Sequence, residues 1–221
     1  VIGAETNTTV ALHADSFALT LAALFAVLNW FAVARRLKRL EYVCKPAVMV
    51  ALIAAVVAFE TPDARRWVFV AALVFSMLGD IFLMLPADRF LYGVSAFFVA
   101  HVAYIVGLRM DSSAAVSLVV GVLVVGAFAV TVGRHIVLAV RKHAPELATP
   151  VSAYVAVISV MVASAIATKN PYAAVGAVVF MASDTLIAWN RFVQPLAWAP
   201  VTIMVTYHVG QALLALSLVR R

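Results

Sequence analysis

The chain has 221 residues, 66% of them hydrophobic and 12% charged, with a formal net charge of +6 and a mean hydropathy of +1.07. Soluble domains carry about 25% charged and 45–50% apolar residues, so this chain has too little polar surface to coat a soluble globule. That excludes a soluble enzyme, a nucleic-acid binder and a disordered chain, and leaves the bilayer as solvent, with helices of about 20 residues as the unit. The positive charge then marks loops facing the cytoplasm rather than a nucleic-acid partner. The single cysteine, Cys44, excludes an internal disulfide framework and a cysteine-rich metal site, and reads as packing at a helix end. The polar stretch from Val1 to Asp15 lacks a basic n-region and does not read as a signal peptide.

Eight apolar segments follow one another, at about 17–34, 44–59, 67–85, 92–108, 115–132, 149–167, 171–190 and 197–219, each bounded by charge, Pro or Gly. At 1.5 Å per residue most can cross a core of about 30 Å; the second is short and borrows from its flanks. The expectation is an all-α, polytopic integral membrane protein: one transmembrane domain over residues 1–221, a bundle of eight helices. Short connections predict antiparallel packing of sequential neighbours. Alternate loops place ten basic residues on one side (Arg35, Arg36, Lys38, Arg39, Lys45, Arg89, Arg134, Arg141, Lys142, Arg191) and six on the other (Arg65, Arg66, Arg109, Lys169, Arg220, Arg221). The positive-inside rule puts both termini outside.

The third and seventh segments share a pattern, Met77-Leu78-Gly79-Asp80 against Met181-Ala182-Ser183-Asp184. His101 and Tyr104 follow Asp80 in the next segment, as Tyr207 and His208 follow Asp184. An offset of four helices preserves orientation, so the two readings are a parallel four-plus-four repeat and a chance match in apolar sequence.

Asp80 and Asp184 each lie 13 residues into their segments, roughly 20 Å along at 1.5 Å per residue. A central Asp costs about 2.5–3.5 kcal/mol on insertion scales and faces the bundle interior or a water-filled cavity. A bland alternative makes each Asp interhelical glue. His101 and Tyr104 share a helix face with Gly93 and Phe97; Tyr207, His208 and Gln211 sit together on the eighth segment. Lys45-Pro46 reads as the opening of the second helix, a snorkelling Lys before a helix-start Pro, and Asn29 has a similarly plain reading. Lys45, Asp80, His101, Tyr104, Asp184, Tyr207, His208 and Gln211 thus form a polar pocket opening toward the basic side, a functional site by default.

Several chemistries can be set against this cluster. A zinc hydrolase needs more intramembrane histidines than His101 and His208, and no HExxH-like spacing occurs; His13, His135 and His143 fall near the terminus or in loops. A retinal protein needs a mid-helix Lys, which neither Lys45 nor Lys169 supplies. An intramembrane aspartyl protease would carry Gly-x-Gly-Asp, whereas Met77 stands in the place of the first Gly here, and no Tyr-Asp pair occurs. A proton-coupled transporter of a small solute or lipid could use the same carboxylates as a relay.

Gly79-Asp80-x-x-Leu83, Gly93 and His101-x-x-Tyr104 resemble the lysoplasmalogenase family, also called the YhhN-like family. Phe180-x-x-Ser183-Asp184, Tyr207-x-x-x-Gln211 and Lys45-Pro46 are similar to its other motifs, and the resemblance runs from about Arg39 to the end. It implies hydrolysis of the vinyl-ether bond of a lysophospholipid, giving a fatty aldehyde and a glycerophospho head group. No cofactor is expected and no residue is assigned to a metal; the sequence does not decide whether a metal is needed. The partners would be the lysophospholipid and membrane lipids, with no nucleic acid; the sequence does not decide the oligomeric state. Enol ethers hydrolyse by protonation at carbon, which asks for one carboxylic acid and one carboxylate that stabilises positive charge and activates water. Two nearby carboxylates in different surroundings divide such roles. Asp184, with Phe180, Ile187 and Ala188 on its face, is the better acid, and Asp80 the better base. Lys45 or Arg191 would hold the head-group phosphate, and His101, Tyr104, Tyr207, His208 and Gln211 would orient the pair or the water. The Ala- and Val-rich make-up, with 12 Arg against 4 Lys, suggests a bacterial inner membrane.

Overall fold

A computed structural model describes residues 2–111 and 114–220, with side chains described from residue 14 onward. The helices are α1 (Ile2–Ala34), α2 (Lys38–Ala58), α3 (Asp63–Met84), α4 (Phe90–Arg109), α5 (Ala115–Phe128), α6 (Arg134–His143), α7 (Ala148–Ala167), α8 (Pro171–Phe192) and α9 (Ala199–Leu216). A π turn over Ala129–Gly133 joins α5 to α6, so the two make one span, Ala115–His143. Among the described residues, eight helical stretches are long and apolar enough to cross a membrane. The protein is all-α and polytopic.

The helix ends follow from local chemistry. At the start of α8 the Asn170 side chain accepts from the Tyr172 and Ala173 amides at 2.9 and 3.3 Å, with Pro171 in the first helical position. The Asn170 amide donates in turn to the Ser217 and Arg220 carbonyls, tying the start of α8 to the end of α9. The α1–α2 turn puts Arg36 at φ 58°, with Leu37 N–H reaching back to the Ala32 carbonyl at 2.8 Å, a left-handed helix stop.

Three expected boundaries shift by six residues or more, the first because α1 begins at Ile2 rather than at residue 17. The second helix begins at Lys38, not at residue 44, so Lys45-Pro46 does not open it and Cys44 is not at its end. Charge alone suggests a loop over residues 38–43; they are helical, with Lys38 and Glu41 paired at 2.8 Å one turn apart. Pro46 sits inside the helix, where it has no N–H to give the Tyr42 carbonyl. The fifth span continues past residue 132 through α6, whose Ile136 and Val140 bury against Phe90, Val151 and Phe192 while Arg134, Arg141 and Lys142 stay exposed. Those three basic residues therefore lie on an amphipathic helix end rather than in a loop.

Seven spans close a ring in the order α1, α2, α3, α4, α7, α8, α9 and back to α1. The sequential hairpins α1–α2, α3–α4 and α8–α9 are the main contacts. α5 departs from the expected neighbour packing: it lies outside the ring against α7 rather than beside α4. Its Gly121 permits this, since a Cβ there would stand 2.9 Å from the Ala163 backbone. Close approach also joins α8 to α9, where Gly176 and Gly210 face each other's backbone and leave no room for a methyl group.

Candidate active site

Among the described residues, a set of enclosed polar side chains lies within the ring, with Lys45 and Asp80 nearest the end that carries the α1–α2, α3–α4 and α8–α9 turns. On α3, Ser76 and Asp80 share one face, and Asp80 is 2% exposed. Gly79 beside it lets the α4 ring of Phe97 press onto the α3 backbone, where a Cβ would fall 2.5 Å from that ring. From α2, Lys45 Nζ reaches Asp80 Oδ1 at 3.0 Å, with both side chains enclosed. Oδ2 of Asp80 is enclosed and without a hydrogen-bond partner among the described residues. Tyr207 on α9 lies beside Asp80 and Gln211, and its hydroxyl is 3.4 Å from Met49 Sδ. Gln211 in turn accepts from the Tyr104 hydroxyl at 2.5 Å.

Asp184 on α8 has different company. Its Oδ2 accepts from the Tyr154 hydroxyl of α7 at 2.6 Å and lies 3.6 Å from His101 Nε2 of α4. His101 Nδ1 stands 2.6 Å from the Phe97 carbonyl, which can only accept, so Nδ1 carries a proton and in the neutral ring Nε2 turns a lone pair toward Asp184. Tyr154 stacks edge-on against His101 at 5.2 Å, and Phe180 covers the other side at 4.9 Å. Asp80 and Asp184 lie within Coulombic range of each other. One carboxylate is thus matched to a cation, and the other to a neutral hydroxyl and aromatic rings.

A cleft of about 760 Å³ opens at the turn-bearing end, lined by Arg36, Lys38, Glu41, Lys45, Asn190 and Arg191 among others. Its size falls in the range of small-molecule sites. Leu83, Phe90 and Ile187 line both this cleft and a smaller chamber of about 40 Å³ that ends on Asp184 and Tyr154. That chamber has room for one or two water molecules. Asp80 lies behind Lys45 and lines neither space.

The structure therefore gathers Lys45, Asp80, His101, Tyr104, Asp184, Tyr207, His208 and Gln211 around one interior. His208 takes a hydrogen bond from Trp30 of α1 on Nδ1 at 3.0 Å and lies in the field of Lys45. Arg191 stands apart, at the cleft mouth, where Nη2 meets Asp88 at 2.7 Å and the guanidinium lies over Phe90 at 4.2 Å and Phe192 at 5.5 Å. That ion pair and the Phe90 amide hold the Asp88 carboxyl below its usual range. His135 stacks on Trp189 and His143 reaches the Phe192 carbonyl, both away from the pocket; the side chain of His13 and residue Arg221 lie outside the described residues. Sequence reading missed Tyr154, Trp30 and Asp88. Tyr154 offered no distinguishing signal, since the same helix carries Thr149, Ser152, Ser159 and Ser164, and nothing local tied it to Asp184, 30 residues away.

A model of the YhhN family matches residues 40–218. The chain is 34% identical over 149 residues to lysoplasmalogenase TMEM86B of Homo sapiens, covering 67% of this chain and 62% of the human protein. It is 31% identical over 178 residues to the Rattus norvegicus TMEM86B lysoplasmalogenase, covering 80% and 71%, and 32% identical over 180 residues to a lysoplasmalogenase of Mycobacterium bovis, covering 77% and 67%. The chain spans less than two thirds of the human relative's length. No solved structure matches. With four fifths of its length under the family model, and relatives above 30% identity across most of its spans, this chain belongs to the YhhN family.

Proposed function

We propose that this protein hydrolyses the vinyl-ether bond of lysoplasmalogen-type lysophospholipids, releasing a fatty aldehyde and a glycerophospho head group. The observation that carries the reading is the division of labour between two enclosed carboxylates, Asp80 with Lys45 and Asp184 with Tyr154, behind a cleft with a cationic mouth. The names of the relatives agree with it.

In this reading Asp184 gives its proton to the alkenyl carbon remote from the ether oxygen. The π pair makes the new C–H bond, and the carbon bearing oxygen becomes oxocarbenium-like. Water from the chamber attacks that carbon and yields its proton to a carboxylate. The hemiacetal hydroxyl then gives up its proton as the bond to the glycerol oxygen breaks; the carboxyl group hands a proton to that oxygen and takes the hydroxyl's, and the aldehyde is left. Asp80, ion-paired with Lys45 and within Coulombic range of Asp184, stabilises the cationic centre, and Asp184, once it has given up its proton, is the carboxylate beside the chamber that takes one from the water. Arg191 and Arg36 at the mouth suit the phosphate, whereas Lys45, engaged with Asp80, serves the carboxylate first. We further read the chain as sitting in a bacterial inner membrane with both termini outside, and as a parallel duplication. The like order of pairing in its halves, α1–α2 then α3–α4 and α5–α7 then α8–α9, supports the last point.

The test is release of long-chain aldehyde from an alkenyl lysophospholipid by purified protein in detergent, with the saturated ether as control. Release from the alkenyl lipid alone is expected. A folded protein that releases none would overturn the reading and favour proton-coupled transport through the same carboxylates.

A further inference from the structure

Tyr154 lies on a helix that no reading of the sequence connected with the site, yet it makes the shortest polar contact of Asp184. Its hydroxyl has one proton and directs it at Oδ2, 2.6 Å away. The same oxygen faces His101 Nε2 at 3.6 Å, beyond hydrogen-bond length, and in the neutral ring that nitrogen carries a lone pair, since the one N–H is then spent on the Phe97 carbonyl. Oδ2 is therefore an acceptor with one donor. Asp184 lines the small chamber together with Tyr154. With Oδ2 engaged, Oδ1 is left for the chamber and for whatever enters it.

A carboxylic acid has one carbonyl oxygen and one hydroxyl oxygen, and the carbonyl oxygen is the stronger acceptor. A donor fixed on Oδ2 makes that atom the carbonyl and sends the acidic proton to Oδ1. We propose that Tyr154 is a positioning residue that keeps the proton of Asp184 on Oδ1, the oxygen turned to the reacting space. The proposal rests on the reading of Asp184 as a general acid. It adds the device that orients the acid. Without the hydroxyl, the proton can reside on Oδ2, pointing at the His101 lone pair and away from substrate. The groups that face Asp184 are then accounted for: Tyr154 as donor, His101 as a neutral acceptor held at a distance, and Asp80 through space.

The first measurement needs no substrate. The infrared difference between wild type and Asp184→Asn should show the C=O stretch of a protonated carboxyl. In Tyr154→Phe, which retains the ring packed against His101, that band should move to higher frequency, because its oxygen has lost a donor. Should Tyr154→Phe fail to fold, 3,5-difluorotyrosine at position 154 keeps ring and hydroxyl, strengthens the donor and should move the band the other way. The second measurement is turnover: Tyr154→Phe should lower kcat about tenfold, the worth of one hydrogen bond to the reacting group, and leave KM unchanged. Absence of the carboxyl band from the difference spectrum, a band unmoved by either change at 154, or a band that answers to His101→Gln instead would each overturn the proposal. A shifted band in a protein that releases no aldehyde would sink the vinyl-ether reading and leave the assignment of Tyr154 standing.

Discussion

Lys45→Met removes the cation from the enclosed Lys45–Asp80 pair and leaves a similar volume of apolar chain. The side chains are 6% and 2% exposed and 3.0 Å apart. At an effective dielectric of about 20, unit charges at that 3.0 Å separation attract by roughly 5.5 kcal/mol. Desolvation of both ions offsets much of this, so the pair as a whole contributes little. Breaking it is another matter, because the surviving charge is enclosed without compensation: loss of one partner costs about 3–5 kcal/mol. Lys45→Met and Asp80→Asn should each destabilise the protein by that amount, while Lys45→Met with Asp80→Asn together should fall within about 2 kcal/mol of wild type, since no ion is then stranded. Reversible unfolding in mixed detergent micelles, followed by far-UV circular dichroism, measures all four corners of the cycle. Additive losses, with a coupling below about 1 kcal/mol, would refute the view that the two charges depend on each other.

Asp184→Asn and Asp80→Asn should each cut aldehyde release by about 10²–10⁴, and a folded variant retaining over about a tenth of wild-type turnover would remove that residue from the chemistry. The Asp88–Arg191 pair gives a pH signature. The folded carboxyl titrates below its usual range, so its contribution is present above the ordinary Asp value of about 3.9 and disappears as pH falls through the lowered folded value; the stability difference between wild type and Asp88→Asn should be flat at neutral pH and vanish only in strong acid. Gly210→Ala would put a Cβ 2.9 Å from the Phe180 amide nitrogen; forcing α8 and α9 apart should cost about 1–3 kcal/mol and lower the thermal midpoint. In a Cys44→Ala background, Lys38→Cys should be protected from an impermeant thiol reagent added outside and Asp63→Cys should be labelled; the opposite pattern would reverse the orientation.

Hydropathy is a local property, and what depends on it was legible from the residues alone: the membrane class, the number of spans and the two carboxylates that have no business in hydrocarbon. Asp80 and Asp184 stood out because an ion at that depth is costly whatever surrounds it, and their motifs sufficed to suggest the family. Charge misled where it stood in for loop. Lys38–Val43 and Arg134–His143 are helical because paired or amphipathic charges are compatible with a helix end at the membrane surface. The lateral arrangement had no local signature at all. Apolar helices look alike on every side, so the closure of the ring through α4–α7 and α1–α9, and the placing of α5 outside it, depended on which backbones can approach, as at Gly121 against Ala163. The same holds for the partners of each acid. Lys45 is 35 residues from Asp80 and Tyr154 is 30 from Asp184; only the packing of α2 on α3 and of α7 on α8 brings a cation to one carboxylate and a neutral hydroxyl to the other. Sequence singled out the two groups, and tertiary structure made them different.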